Sequence, residues 1–235
     1  MTPPPAESPA PLAPAPLPSA GTAPSAATPQ PAAGIPARPL VLAVIGDSLT
    51  DPKSHGGGYL HVLEQHCPGL TIDNFGRGGF MVNQMRRTFE AEVAPNIQRY
   101  THLLVFGGVN DLYSDLTAHR TPAKIETDLG YMYDFAKAHQ VRVVAFTVAP
   151  WGGFTRYFNE SRRDATHTLN DWIRALPAAG RADTVIDAFA LLSCGDPEQL
   201  CERFFAPFRD GIHPGPEGHQ ILGKALTDGA FPDCH

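Results

Sequence analysis

The chain has 235 residues, a net charge of −6 from 18 basic and 24 acidic side chains, and a hydrophobic fraction of 43%. That length allows one sizeable domain plus a tail, and the apolar fraction suffices for a buried core. No Lys/Arg stripe could follow a phosphate backbone, no apolar run is long enough to span a membrane, and no Cys-x-x-Cys or Cys/His cluster has zinc-ligand spacing. Nucleic acid, a membrane span and a metal site are therefore not expected.

Residues 1–38 contain twelve of the 24 prolines, set among Ala, Ser and Thr. Such a segment buries little apolar surface and loses a backbone donor at each Pro, so an extended, disordered tether is expected there, with one domain over 39–235. The tether lacks the charged start and apolar core of a signal peptide. It reads as a spacer behind an export signal removed or omitted, which implies a secreted, periplasmic or cell-surface protein. Cys67, Cys194, Cys201 and Cys234 fit two disulfides in an oxidising compartment. Cys194 with Cys201 closes a short polar loop, and Cys67 with Cys234 follows by elimination; four buried thiols is the alternative.

From Pro39 the texture changes. Leu40 to Ile45 is an apolar run bounded by Gly46, a buried strand. A helix is predicted over 57–66, a short strand over 70–74, and one long helix over 81–99. A strand over 102–106 follows, then a helix over 121–139 with Thr121 as N-cap and Pro122 at its first position. The β-branched stretch 141–148 predicts a fourth strand, 160–177 a helix, 184–187 a fifth strand, and 216–228 the last helix. Strands alternating with helices imply a mostly parallel five-stranded sheet covered on both faces, an α/β fold. Ligands in such sheets bind beyond the carboxyl ends of the strands.

Those ends carry unusual polar residues: Gly46-Asp47-Ser48-Leu49-Thr50 after the first strand, Asn74 to Gly79 after the second, and Gly107 to Asp111 after the third. Asp210-Gly211-Ile212-His213 precedes the last helix. Acyl transfer needs a nucleophile, a base, a group that orients the base, and donors for the developing oxyanion. Ser48 supplies a hydroxyl at a strand-to-helix turn. His213 can take its proton, and Asp210, three residues earlier, can hold the other imidazole nitrogen. The amides of Ser48 and Gly76 and the side-chain amide of Asn110 would form the oxyanion hole. Asp47 and Asp111 read as structural acceptors for loop amides, His55 as a rim residue, and His219 as a surface or helix-packing residue. Trp151 and Phe154, with Tyr157 and Phe158, follow strand four and are candidates for lining an acyl or sugar pocket, or for plain packing.

The four segments together resemble blocks of the SGNH (GDSL) hydrolase superfamily: GDS, a Gly within N-x-G-x-x-G, G-x-N-D, and D-x-x-H. The resemblance spans roughly residues 40 to 229, and no block departs from it. It implies a flavodoxin-like three-layer α/β/α sandwich, a Ser-His-Asp triad and no metal or organic cofactor. The α/β-hydrolase elbow Gly-x-Ser-x-Gly is missing, since Thr50 stands at its second Gly. Short connections suggest an open cleft, which suits short acyl groups such as acetyl on a carbohydrate, in a monomer acting on a small-molecule or glycan ester. The alternatives are a lipid or lysophospholipid esterase, a thioesterase, an acyltransferase using the same site, and a non-catalytic glycan-binding module of the same fold.

Overall fold

The computed structural model describes residues 39–234. The expected tether over 1–38 lies outside them.

β1 (Val41–Gly46), β2 (Thr71–Asn74), β3 (His102–Phe106), β4 (Arg142–Phe146) and β5 (Thr184–Ile186) form one parallel sheet in the order β2-β1-β3-β4-β5. Alternation along each strand divides the core into two layers, as period-2 side chains require. Ala43, Ile45, Leu103, Val105, Val143 and Ala145 face one side. There they meet α2 (Val82–Thr88), α5 (Pro122–Ala138) and α6 (Glu160–Ala175). Leu42, Val44, Leu104, Phe106, Val144 and Phe146 face the other side, against α1 (Gly58–His66) and α8 (Pro216–Ala230). Both faces of β1, β3 and β4 are buried, which is why they read as continuous apolar runs. The result is the expected three-layer α/β/α sandwich. β1 is flanked by β2 and β3, so the strand order reverses there and a crevice opens beyond their carboxyl ends.

The helix over 81–99 is not continuous. α2 ends at Thr88 and passes through a π turn over 89–93 into a 3-10 turn over 94–99, with Asn96 at a non-helical φ of −114°. Pro95 cannot donate to the helical ladder and its ring crowds the preceding turn, so the α-geometry has to break near it. Three short helices, α3 (Val109–Tyr113), α4 (Asp115–Ala118) and α7 (Ala188–Leu192), and a hairpin of β6 (Ser193–Cys194) with β7 (Asp196–Leu200), add to the expected elements. α5 begins as expected, with the Thr121 side chain accepting from Lys124 N–H and Pro122 at its start.

Both expected disulfides are present. Cys67–Cys234 joins the end of α1 to the segment after α8, and Cys194–Cys201 closes the β6–β7 hairpin. Among the described residues, no helix is long and apolar enough to cross a membrane.

Candidate active site

β1 leads straight into the turn that carries Ser48. Asp47 is fully buried beneath that turn, and its Oδ1 accepts the Leu49 N–H at 2.9 Å. Its backbone carbonyl accepts the N–H groups of Thr50 (3.1 Å) and Asp51 (2.9 Å). Asp47 thus folds the turn around itself and lifts Ser48 to a half-buried position at the crevice. Burial pushes its carboxyl up from 3.8 to about 7, against the pull of the Leu49 N–H and of His213. The Thr50 hydroxyl pairs with Tyr59 OH at 3.0 Å, which ties the turn to α1.

Across the crevice, the Asp210 loop presents His213. Nε2 of His213 lies 2.8 Å from Ser48 Oγ, and its Nδ1 lies 2.6 Å from Asp210 Oδ2. Asp210 Oδ1 accepts two backbone N–H groups, from Ile212 at 3.0 Å and His213 at 2.9 Å. Burial alone would raise the Asp210 carboxyl, but the bonds from the His213 amide, the His213 ring and the Ile212 amide outweigh it and hold the carboxyl below its ordinary value. Asp210 therefore stays an anion. An anion at Nδ1 fixes the tautomer with hydrogen on Nδ1 and the lone pair of Nε2 facing the serine hydroxyl. Gly211, at φ +76°, makes the tight turn between the two residues and packs against the backbone of Gly153.

β3 delivers Asn110 on α3. It is 5% exposed; its Nδ2 donates to Phe80 O at 2.9 Å and lies 3.4 Å from Asp47 Oδ2, while its Oδ1 accepts from Tyr113 OH at 2.9 Å. The neighbouring Asp111 is fully buried. It accepts the Val82 N–H at 2.8 Å and pairs with Arg120 Nε at 2.6 Å, anchoring the start of α2. Arg120 continues the chain to Asp128 at 2.7 Å. Asp47 and Asp111 accept loop amides as expected; the Arg120 ion pair was not anticipated.

Gly76 does not fit the oxyanion role expected of it. Its N–H is already bonded to Asn74 Oδ1 at 2.8 Å, while Asn74 Nδ2 donates to Thr50 O at 3.0 Å. A Cβ at Gly76 would come within 2.8 Å of Thr50 and Asp51 backbone atoms, so the glycine is required for packing on the serine turn rather than for access. Gly79 sits where Gly76 was expected. It lines the crevice with Ser48, Asn110 and His213, has φ +77°, and a Cβ there would meet nothing within 4 Å. The N–H groups of Ser48 and Gly79 have no hydrogen-bond partner among the described residues. Of the three glycine amides in this loop, Asn74 takes that of Gly76 and Asp51 that of Gly78, which leaves the Gly79 N–H.

The crevice encloses about 500 Å³. Its lining combines a polar group, Asp51, Ser54, Gly78 and Gly79, with a more apolar one, Tyr113, Phe154 and Ile212. The polar group is braced by Asp51 Oδ2, which accepts from Gly78 N–H at 2.9 Å and Ser54 Oγ–H at 3.0 Å. Phe154 packs edge-on against Tyr113 at 5.9 Å and lies 4.8 Å from Tyr157. Trp151 takes no part in the crevice. It is 1% exposed, donates Nε1–H to Thr166 Oγ1 at 3.0 Å and packs edge-on against Phe158, because buried indole needs both an apolar niche and an acceptor. His55 is exposed, in a left-handed turn at φ 61°, and touches Phe208 behind His213. His219 is 6% exposed and stacked on Tyr59, so it is the helix-packing residue and not a surface one.

At the switch point of the parallel α/β/α sandwich, a serine, a histidine and a carboxylate are hydrogen-bonded in series. The profile of the GDSL-like lipase/acylhydrolase family matches residues 44–221, and the chain belongs to that family. It resembles solved structures of the same fold, all at low identity. A member of the lipolytic G-D-S-L family from Veillonella parvula matches at 17% identity and TM-score 0.63, over 82% of this chain and 98% of that one. A lipase/acylhydrolase from Enterococcus faecalis matches at 18% identity and TM-score 0.62, over 80% and 94%. A catalytic mutant of an acetylxylan esterase from Geobacillus stearothermophilus matches at 16% identity and TM-score 0.62, over 80% and 93%. No curated protein matches the chain.

Proposed function

We propose that this esterase-family chain hydrolyses short-chain carboxylic esters, such as O-acetyl groups on carbohydrates, through an acyl-enzyme on Ser48. The carrying observation is the unbroken series Ser48 Oγ, His213 Nε2, His213 Nδ1, Asp210 Oδ2, with links of 2.8 and 2.6 Å, set in an accessible crevice. His213 Nε2 takes the hydroxyl proton as Ser48 Oγ attacks the ester carbon. Asp210, already anionic, stabilises the imidazolium that forms. The carbonyl oxygen becomes an anion, and the N–H groups of Ser48 and Gly79 with Asn110 Nδ2 are the donors assigned to it. His213 then protonates the departing alcohol, and in the second half-reaction takes a proton from the water that attacks the acyl group. Ser48 leaves with its proton restored and the acid is released.

Acyl length is argued from the lining. Three apolar side chains in an open crevice offer little surface to a long chain, which needs a covered apolar channel. A lining that holds both aromatic rings and polar groups suits a sugar ring, whose apolar face stacks while its hydroxyls reach Asp51 and Ser54. The two disulfides agree with an extracellular or periplasmic location, and export is proposed with them. The test is a rate series on p-nitrophenyl acetate, butyrate, octanoate and decanoate, followed by acetate release from acetylated sugars. Rates should fall beyond butyrate; rates rising with chain length would overturn the short-acyl assignment in favour of a lipid ester.

A further inference from the structure

Asn110 holds its carboxamide by only two firm hydrogen bonds. Nδ2 donates to the Phe80 carbonyl at 2.9 Å, and Oδ1 accepts the Tyr113 hydroxyl at 2.9 Å. The second Nδ2 hydrogen has no close partner: Asp47 Oδ2 is 3.4 Å away, at the weak end of the range. That hydrogen is the one available to substrate oxygen. A single bond to Phe80 would leave the amide plane free to swing about the Cβ–Cγ bond, and the bond from Tyr113 removes that freedom. A donor on Oδ1 also draws electron density from the amide nitrogen, which strengthens Nδ2–H as a donor in turn.

Tyr113 is built to do this. It lies three residues after Asn110 on α3, the spacing at which helical side chains meet. Its ring is clamped by Phe154 at 5.9 Å, edge-on, and by Tyr157 at 5.6 Å, so the hydroxyl is delivered from a fixed platform. Burial first, and then the charge of Asp47, raise its pKa, so the phenol stays protonated and remains a donor.

We propose that Tyr113 is a positioning residue for the oxyanion donor: its hydroxyl fixes and polarises the Asn110 carboxamide, and does so only through Asn110. This rests on the esterase reading above. Tyr113→Phe keeps the ring and its packing and removes the hydroxyl alone.

The test is a double-mutant cycle on p-nitrophenyl acetate with wild type, Tyr113→Phe, Asn110→Ala and the double variant, each normalised to Ser48 sites titrated with a fluorophosphonate. Asn110→Ser serves as the background if Asn110→Ala does not fold. Tyr113→Phe should lower kcat about tenfold with KM within about twofold, one hydrogen bond's worth of transition-state stabilisation. In the Asn110 variant background the same substitution should change kcat less than about twofold, because the group it acts through is gone. A wild-type kcat in Tyr113→Phe overturns the proposal, as does an equal loss in both backgrounds or a change confined to KM. A wild-type protein inert to both ester and fluorophosphonate overturns the esterase reading and this assignment with it. Normal wild-type labelling with an unaffected Tyr113→Phe overturns this assignment alone.

Discussion

Lowering the pH acts in opposite senses on two buried histidines, His219 and His102, and on the buried carboxyl of Asp47. His219 is 6% exposed, its ring is stacked on Tyr59 at 6.2 Å, and its Nδ1 has no partner among the described residues. Burial, then the nearby His213 and His61, depress it from 6.5 to about 4. His102 is also depressed to about 4, by burial and then by Arg142. The unfolded chain takes up protons at both residues below pH 6.5 while the folded chain refuses them. Their contribution is therefore present above pH 6.5 and lost as the pH falls towards 4. From pH 7 to pH 5 the loss is about 2 kcal/mol for each histidine. Asp47 acts in the opposite sense. Its folded carboxyl, raised to about 7, keeps a proton that the unfolded chain releases near 3.8. Its contribution is full below 3.8 and lost as the pH rises through 7, so the same step from pH 7 to 5 adds about 2 kcal/mol. Urea denaturation at pH 7, 6 and 5 reads this directly. Relative to wild type, the change from pH 7 to 5 should be more favourable by about 2 kcal/mol in His219→Leu, and less favourable by about 2 kcal/mol in Asp47→Asn. Variant curves that run parallel to wild type would refute the reasoning, whatever their absolute offset.

Two further outcomes concern the frame around the site. Gly76→Ala drives a Cβ to within 2.8 Å of Thr50 and Asp51 backbone atoms and should lower stability by about 1–3 kcal/mol. Gly79→Ala meets no atom within 4 Å and should lose only about 1 kcal/mol to its positive φ, so a calorimetric comparison should rank Gly79→Ala the more stable of the two. Arg120→Met leaves Asp111, 0% exposed, without its cation and should cost about 3–5 kcal/mol at pH 7, measured by denaturant titration. The cost should shrink at pH 5, where Asp111, already raised by burial, takes a proton instead.

Much of the architecture was legible because buried parallel strands leave a plain trace. Leu40 to Ile45, His102 to Phe106 and the run around Val143 are apolar on both faces, and each is followed by glycine or polar residues at the carboxyl edge. Ser48, Asn110, Asp210 and His213 could be placed on that edge by following the strands. The glycine amide proposed for the oxyanion could not be chosen by steric argument alone, since Gly76 and Gly79 both lie in the same loop. What separates them is that Asn74 consumes one amide, a side-chain bond that composition does not display. Trp151 had the right address after β4 but a side chain turned inward to Thr166. The short helices and the β6–β7 hairpin escaped notice because elements of two to five residues span too little chain to show a period. The break after α2 lies beside Pro95, which falls inside the single helix expected over 81–99 and removes a helical donor there.

Ser48 is proposed above as a nucleophile activated by His213. The most direct test is intact-mass analysis after brief exposure to a fluorophosphonate, with peptide mapping of any adduct. The account predicts one adduct per chain, on Ser48, absent in Ser48→Ala and strongly slowed in His213→Ala. Folded wild-type protein that takes no label, or labels elsewhere with Ser48 untouched, would contradict it.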